Sequence, residues 1–447
     1  MKSLISVREA LNIAIRALTM GSRFILTFAI ARYLTPTDLG LFGLLGSTVA
    51  VAIYAVGLDF YTYTTREIIK SEKSQCGAML KNHCALSIVL YVVVMPVLCL
   101  MFLFGLLPWS LAGWLILLLT LEHLGREINR LLIATSQQLL ASVIMFLRKG
   151  AWIWIAVMVL IVAPRSRNLD FVFACWAIAA VIACVAGCVR IHSMRMGGWS
   201  ERVDWNWIWR GVRISGAFLV ATLAVQSLSA VDKYWVQSLV GPAVLGAYVL
   251  FSGLAVGMSS VLDAGVLSFS YPLLIDAHHR HDLAGFRREI RRMFWLTVAI
   301  CAAFSIVVYA LIDYLLVWIH KPIYLEHKSM LPWVLLATVF TCIAYTPHYG
   351  LYARGQDRQI IVAHVAGAIL FVPAAWALSL VSPTLAVPVA LCVAFGFILA
   401  WKSWHYLRGS RLPESAAVER DREVVDIPIG ALVPSIPDID PATDSEN

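Results

Sequence analysis

Two arginines, Arg16 and Arg23, stand inside an apolar run (residues 10–34) long enough to cross a bilayer. Seven residues turn a helix through about 700°, so the two positions nearly eclipse, about 10 Å apart along the axis. Asn12, Thr19 and Thr27 share that face. A charge facing lipid at the centre of a helix costs at least about 2.5–3.5 kcal/mol. A stripe carrying two of them must therefore look onto a polar interior. A guanidinium presents a planar fork of donors that fits phosphate and carboxylate oxygens, so the chemistry this stripe suits is the gripping of an anion. The structural alternative is pairing with an acidic residue of another helix.

A second charged stretch, Glu122, His123, Arg126, Glu127 and Arg130, lies in another apolar run. Glu122 and Arg126 are four residues apart and can neutralise each other on one helix face; equally, Glu122 suits a site for a coupling proton or sodium ion. Asp59, Asp263 and Asp313 lie in or at the ends of apolar runs, Asp263 the deepest, and at least one is expected to partner an arginine. Asp232-Lys233 sits near the end of a seventh run, as a gate or an interfacial pair. Pro347, within Tyr345-Thr346-Pro347-His348-Tyr349, frees a backbone carbonyl and kinks its helix, which suits a hinge. His364 reads as a packed polar residue.

Several chemistries are not expected. There is no phosphate-binding loop, no His-Glu-x-x-His and no nucleophile elbow, so no catalytic residues are assigned and the energy must come from an ion gradient, the membrane potential or the substrate's own asymmetry. The nine cysteines form no CxxC pair and have no partners at metal-ligand spacing, so neither a metal nor a cofactor is implied.

The elements that must position these residues are membrane spans. The chain is 60% hydrophobic and 14% charged, with mean hydropathy +0.79; a soluble protein of this length carries nearer a quarter charged residues. At about 20 apolar residues per span, twelve are read: 12–33, 39–61, 84–106, 111–132, 143–162, 171–189, 214–235, 244–269, 293–318, 331–352, 360–380 and 385–406. The first is too long and too polar on one face for a signal peptide. Lysines and arginines crowd alternate loops, which places both termini in the cytoplasm; Arg165 and Arg167 dissent. The net charge of +8 thus reports topology, and nucleic acid is not an expected partner. Trp205, Trp207 and Trp209 among Arg202, Arg210 and Arg213 form an interfacial anchor pattern, with a specific lipid site as the sharper reading. The tail, 412–447, is acidic and rich in Pro and Ser, and reads as disordered and cytoplasmic.

The chain also repeats itself. Leu39-Gly40 recurs as Leu245-Gly246, and Phe42 as Tyr248, 206 residues on. The same offset carries Arg16 onto Thr222, Arg23 onto Ser229 and Thr27 onto Lys233. The seventh span has its own polar stripe of Ser215, Thr222, Gln226, Ser229 and Lys233. Two six-helix halves of matching topology imply a pseudo-two-fold axis along the membrane normal, with the substrate between the halves near the midplane. The expected architecture is an all-α integral membrane fold of twelve transmembrane helices: an N-terminal bundle (1–195), a C-terminal bundle (196–411) and the tail.

The basic face of the first span, the turn Ala31-Arg-Tyr-Leu-Thr-Pro-Thr-Asp-Leu-Gly-Leu-Phe-Gly43, and the second-half Asp232-Lys233 followed by Leu245-Gly-Ala-Tyr248 resemble the polysaccharide flippases. These are the O-antigen type, Wzx-like exporters of the MOP/MATE-like transporter superfamily. The resemblance implies alternating access through a cationic cavity, carrying an undecaprenyl-diphosphate-linked oligosaccharide from the cytoplasmic to the outer leaflet of a bacterial inner membrane for O-antigen, capsule or exopolysaccharide synthesis. It implies as partners the lipid-linked glycan, membrane lipid, a glycan polymerase and other glycan-assembly proteins. Arg16, Arg23, Thr27 and Gln226 are the expected substrate contacts. Glu122, Arg126 and Asp263 are the coupling or ion-pair candidates, and Asp232, Lys233 and Pro347 the gate candidates. The alternatives are a multidrug or other small-molecule exporter of the same superfamily, or a membrane-embedded glycan-assembly enzyme.

Overall fold

The computed structural model describes residues 7–409, and every regular element among the described residues is helical. The expectations for the 412–447 tail, for Lys2 and for the side chains of Arg8 and Ser229 fall outside the described residues. In order the helices are α1 (Val7–Tyr33), α2 (Pro36–Gly57), α3 (Tyr61–Lys70), α4 (Lys73–Leu103), α5 (Ala112–Ala134), α6 (Gln138–Phe146), α7 (Trp152–Val162), α8 (Leu169–Ser193), α9 (Trp205–Leu262), α10 (Ser268–His279), α11 (Leu283–Ile319), α12 (Pro322–Glu326), α13 (Met330–Ala353), α14 (Asp357–Ser379) and α15 (Pro383–Gly409). A wide π turn, Leu147–Ala151, joins α6 to α7, and a second, Asp263–Leu267, joins α9 to α10.

Among the described residues, ten helices are long and apolar enough to cross a membrane, by length and composition. Two further features bear on the count. α5 is 23 residues long but carries Glu122, Arg126, Glu127 and Arg130. The 58 residues of α9 are two arms, broken at Gly241 (φ 80°) immediately before Pro242. That φ suits glycine, and the proline cannot donate back into the preceding turn. α1 gives way to α2 by another route. Thr35 caps α2 by accepting from the Asp38 N–H, its own N–H donates to the Asp38 carboxylate, and Pro36 occupies the first turn, the reciprocal arrangement that fixes a helix start.

Some boundaries depart from the sequence reading. The span expected at 143–162 begins at Gln138, so Arg148 and Lys149 lie about halfway along it instead of close to its start. α11 runs for 37 residues, because Arg287, Arg288, Arg291 and Arg292 continue the helix beyond the apolar stretch.

The main packing between the two sequence repeats is α2 against α9. The contact is reciprocal. A Cβ added at Gly40 would strike the Pro242 carbonyl, and one added at Gly246 would strike the Pro36 carbonyl. Pro36 and Pro242, like Gly40 and Gly246, are 206 residues apart. Gly43 takes the side chain of Val249, its own repeat mate. Contact of i with j matched by j with i is the mark of a two-fold relation, here between two segments of one chain. The short Leu-Gly match in the sequence is thus the point at which the repeats touch.

Candidate functional site

α1, which carries Arg16 and Arg23, packs against α6, the first π turn, α7 and α9. Arg16 Nε donates to Ser142 Oγ of α6 at 3.4 Å, and that hydroxyl donates on to Asn12. Across the repeat boundary, Asp263 at the start of the second π turn acts electrostatically on Arg16 without reaching salt-bridge distance. Arg23 is exposed, and its side chain has no hydrogen bond or ion pair to any described residue. Thr19 and Thr27 spend their hydroxyls on their own helix, donating to the Ile15 and Arg23 carbonyls at 2.8 and 3.0 Å. Thr27 presents its methyl toward Gly253.

The Glu122–Arg126 pairing expected on α5 does not form. Glu122 pairs instead with Arg148 of the first π turn at 3.3 Å, both side chains being buried. Arg148 also donates to the Glu122 carbonyl at 2.7 Å, and Trp176 of α8 donates to the carboxylate at 2.9 Å. Gly125 makes the approach possible, since a Cβ there would lie 2.7 Å from Arg148 Cδ. Arg126 turns away and lies 4.1 Å above the Tyr54 ring of α2. The Tyr54 hydroxyl accepts from Gln226 of α9 at 3.2 Å. Two sequence candidates from opposite repeats, Arg126 and Gln226, therefore meet on one tyrosine that the sequence reading did not single out.

Lys149 was also passed over. It follows the buried Arg148 in the π turn, is partly buried, and its side chain makes no hydrogen bond or ion pair to any described residue. Arg23, Arg126 and Glu122 all act on it electrostatically. The inserted residue of a π turn rotates the side chains that follow it, and such turns recur at functional sites. The result is a gathering of Arg23, Arg126, Arg148 and Lys149 about Glu122, with Glu127 also acting on Arg126, while Arg16 is acted on by Asp263. Glu122 is taken by Arg148, so a positive excess remains around Arg23 and Lys149.

The other acidic candidates are occupied. Asp59 lies 4.0 Å from Arg130, which also pairs with Glu127 at 3.1 Å and stacks on Tyr61, tying α3 to α5. Asp313 pairs with Lys328 at 2.5 Å. Asp232 is buried, accepts from the Tyr248 hydroxyl at 2.6 Å and lies 3.3 Å from Lys233 Nζ. It therefore clamps the two arms of α9 beside the contact with α2. Pro347 is buried in the interior of α13.

The arrangement resembles solved transporters. An inward-facing multidrug resistance MATE family transporter of the MOP superfamily superposes with TM-score 0.71 at 12% identity, over 91% of this chain and 99% of that one. The lipid II flippase MurJ, in an inward closed conformation, superposes with TM-score 0.69 at 9% identity, over 93% and 90%. A point mutant of the Vibrio cholerae MATE transporter VcmN does so with TM-score 0.56 at 12% identity, over 90% and 95%. No family model and no curated protein sequence matches the chain. At these identities the likeness is one of fold: this is an all-α, multi-pass membrane chain with the architecture shared by MOP-superfamily transporters.

Proposed function

We propose that the chain is a transporter that flips an undecaprenyl-diphosphate-linked oligosaccharide from the cytoplasmic to the outer leaflet of a bacterial inner membrane, for surface polysaccharide synthesis. Counting α5 and the two arms of α9, it has twelve spans in two six-helix bundles, 1–195 and 196–411, with both termini cytoplasmic. The carrying observation is the pair of cations, Arg23 and Lys149, that make no ion pair with any described residue and lie mid-span where α1 packs against the first π turn. Charge at that depth is retained for function. A diphosphate headgroup supplies the missing anion, and the guanidinium of Arg23 grips it through paired hydrogen bonds. Arg16 and Gln226 extend the same surface, with Thr27 lining it. The seam at Gly40 and Gly246 then closes the outer side while the cationic face opens inward, and reversal of that asymmetry delivers the headgroup outward.

A second reading has its own support: two of the three structures described above are MATE transporters, one of them a multidrug resistance protein by name. The positive excess separates the readings, because a cationic drug would be repelled where a diphosphate is held. The test uses the full chain in liposomes carrying a fluorescent undecaprenyl-diphosphate glycan. The account predicts translocation by the wild type and its loss in Arg23→Ala and Lys149→Ala at equal protein level. Translocation of cationic dyes by the wild type, with no movement of the glycan lipid, would overturn it.

A further inference from the structure

Three basic nitrogens meet where α13, α14 and α15 converge. Lys402 of α15 is 3% exposed. Its Nζ lies 3.2 Å from His348 Nδ1 of α13 and 2.9 Å from His364 Nε2 of α14. α13, α14 and α15 pack on one another and on α9. The three residues act on one another electrostatically, and among the described residues no carboxylate acts on any of them.

The other ionisable groups nearby are accounted for. From α13, the Tyr345 and Tyr349 rings lie 6.5 and 5.5 Å from the His348 ring, centroid to centroid. On α15, His405 stacks on Trp401 at 5.0 Å. Arg354, at the α13–α14 turn, donates to the Tyr406 carbonyl at 3.1 Å. α9 sends no charged group to the cluster among the described residues. On α14, Asp357 precedes His364 by seven residues and so shares its face, about 10 Å nearer the helix end. Asp357 is buried, and its Oδ1 has no partner among the described residues.

An ammonium can donate to both rings only if each presents a lone pair, which keeps the ring protons on His348 Nε2 and His364 Nδ1. In that state the cluster carries one positive charge and no counter-charge. Losing the proton leaves three neutral bases, and the amine keeps two N–H groups that can still donate to the same two ring nitrogens. Adding another proton would set two positive charges about 3 Å apart in a buried site, which Coulomb repulsion opposes. The cluster therefore holds one proton or none. A purely structural role is poorly served by it, since apolar side chains of similar volume usually pack at least as stably as buried charge. Proton relays in pumps and transporters are built from chains of such ionisable groups within spans. His348 directly follows Pro347, where α13 lacks a backbone donor, so a change of charge here acts on the weakest point of that helix.

We propose that Lys402, His348 and His364 form a proton-binding site in the second half of the chain, loaded from the end at which Asp357 stands, and that its single proton is the coupling ion. The coupling part rests on the transporter reading above; the proton site itself does not. Proteoliposomes of the full chain, free of any glycan lipid, are adsorbed on a sensor membrane and given a pH step. The wild type is expected to give a transient charge displacement, and a sodium step at constant pH none. Lys402→Met is expected to fall to the level of empty liposomes, while Lys402→His, which still titrates, retains the signal. His364→Gln, at matched protein amount and intact elution profile, is expected to shift its pH midpoint. A wild-type signal driven by sodium and not by pH, or one that Lys402→Met and His364→Gln leave unchanged, overturns the proposal. Because no glycan is present, failure of the flippase reading would leave these currents as they are.

Discussion

Replacing Gly246 with alanine tests the seam between the repeats. The added Cβ would lie on the Pro36 carbonyl, against backbone that Thr35 and Asp38 hold in a cap. The α1–α2 turn must back away, and overpacking of this kind costs about 1–3 kcal/mol. On the alternating access proposed above, the contact is made in the closed arrangement and lost in the open one, so the penalty bears on the balance between them. Such a coupling changes the closed-to-open ratio about 5- to 150-fold. Gly40→Ala meets the Pro242 carbonyl in the mirrored contact and should shift the ratio by a similar amount. Gly46→Ala lies on the same helix with nothing within 4 Å and should shift nothing. The assay is the labelling rate of Thr48→Cys by a membrane-impermeant maleimide, in a chain whose exposed Cys84, Cys99 and Cys188 are replaced by serine. Thr48 is buried and hydrogen-bonded to Tyr234, so it is shielded while the seam is shut. Labelling should accelerate in Gly246→Ala and Gly40→Ala and stay at the reference rate in Gly46→Ala. Equal rates in all three would refute the reciprocal seam.

Other expectations follow from the same geometry. Arg148→Met leaves the Glu122 carboxylate buried with Trp176 as its one remaining hydrogen-bond donor among the described residues, and should destabilise by about 3–5 kcal/mol; pairing it with Glu122→Leu should restore much of the loss in thermal unfolding. Tyr54→Phe removes the hydrogen bond from Gln226 but keeps the ring beneath Arg126, costing about 0.5–1.5 kcal/mol, whereas Tyr54→Ala loses both; a melting series that ranks them the other way would contradict the shared-tyrosine arrangement.

How far the sequence led depends on the residue. Arg16 and Arg23 stood out because a charge amid apolar neighbours is legible without a structure. The Leu-Gly repeat was legible too, although its meaning as a contact was not, since the meeting of Gly40 with Pro242 is a fact of packing. Arg148 and Lys149 fall inside the run read at 143–162 but were not singled out, because hydropathy resolves where a span is greasy, not where its helix begins, and a π turn leaves no periodic trace. Glu122 was matched to Arg126 because the i,i+4 rule sees only one helix; its actual partner lies 26 residues away in sequence. Lys402 was not singled out and His364 was read as packing, and only the convergence of α13, α14 and α15 makes them one site. Asp232 and Lys233 were recognised together, but Tyr248, which holds Asp232, is reached only across the break at Gly241.

The most direct test of the whole account is the affinity of the purified chain for undecaprenyl diphosphate itself, compared among the wild type, Arg23→Ala, Lys149→Ala and Arg23→Lys. Loss of a charge-assisted contact of about 1.5–3 kcal/mol predicts binding weakened at least about tenfold in each alanine variant and partly retained in Arg23→Lys, where a point charge replaces the fork. Undiminished binding in both alanine variants would contradict it.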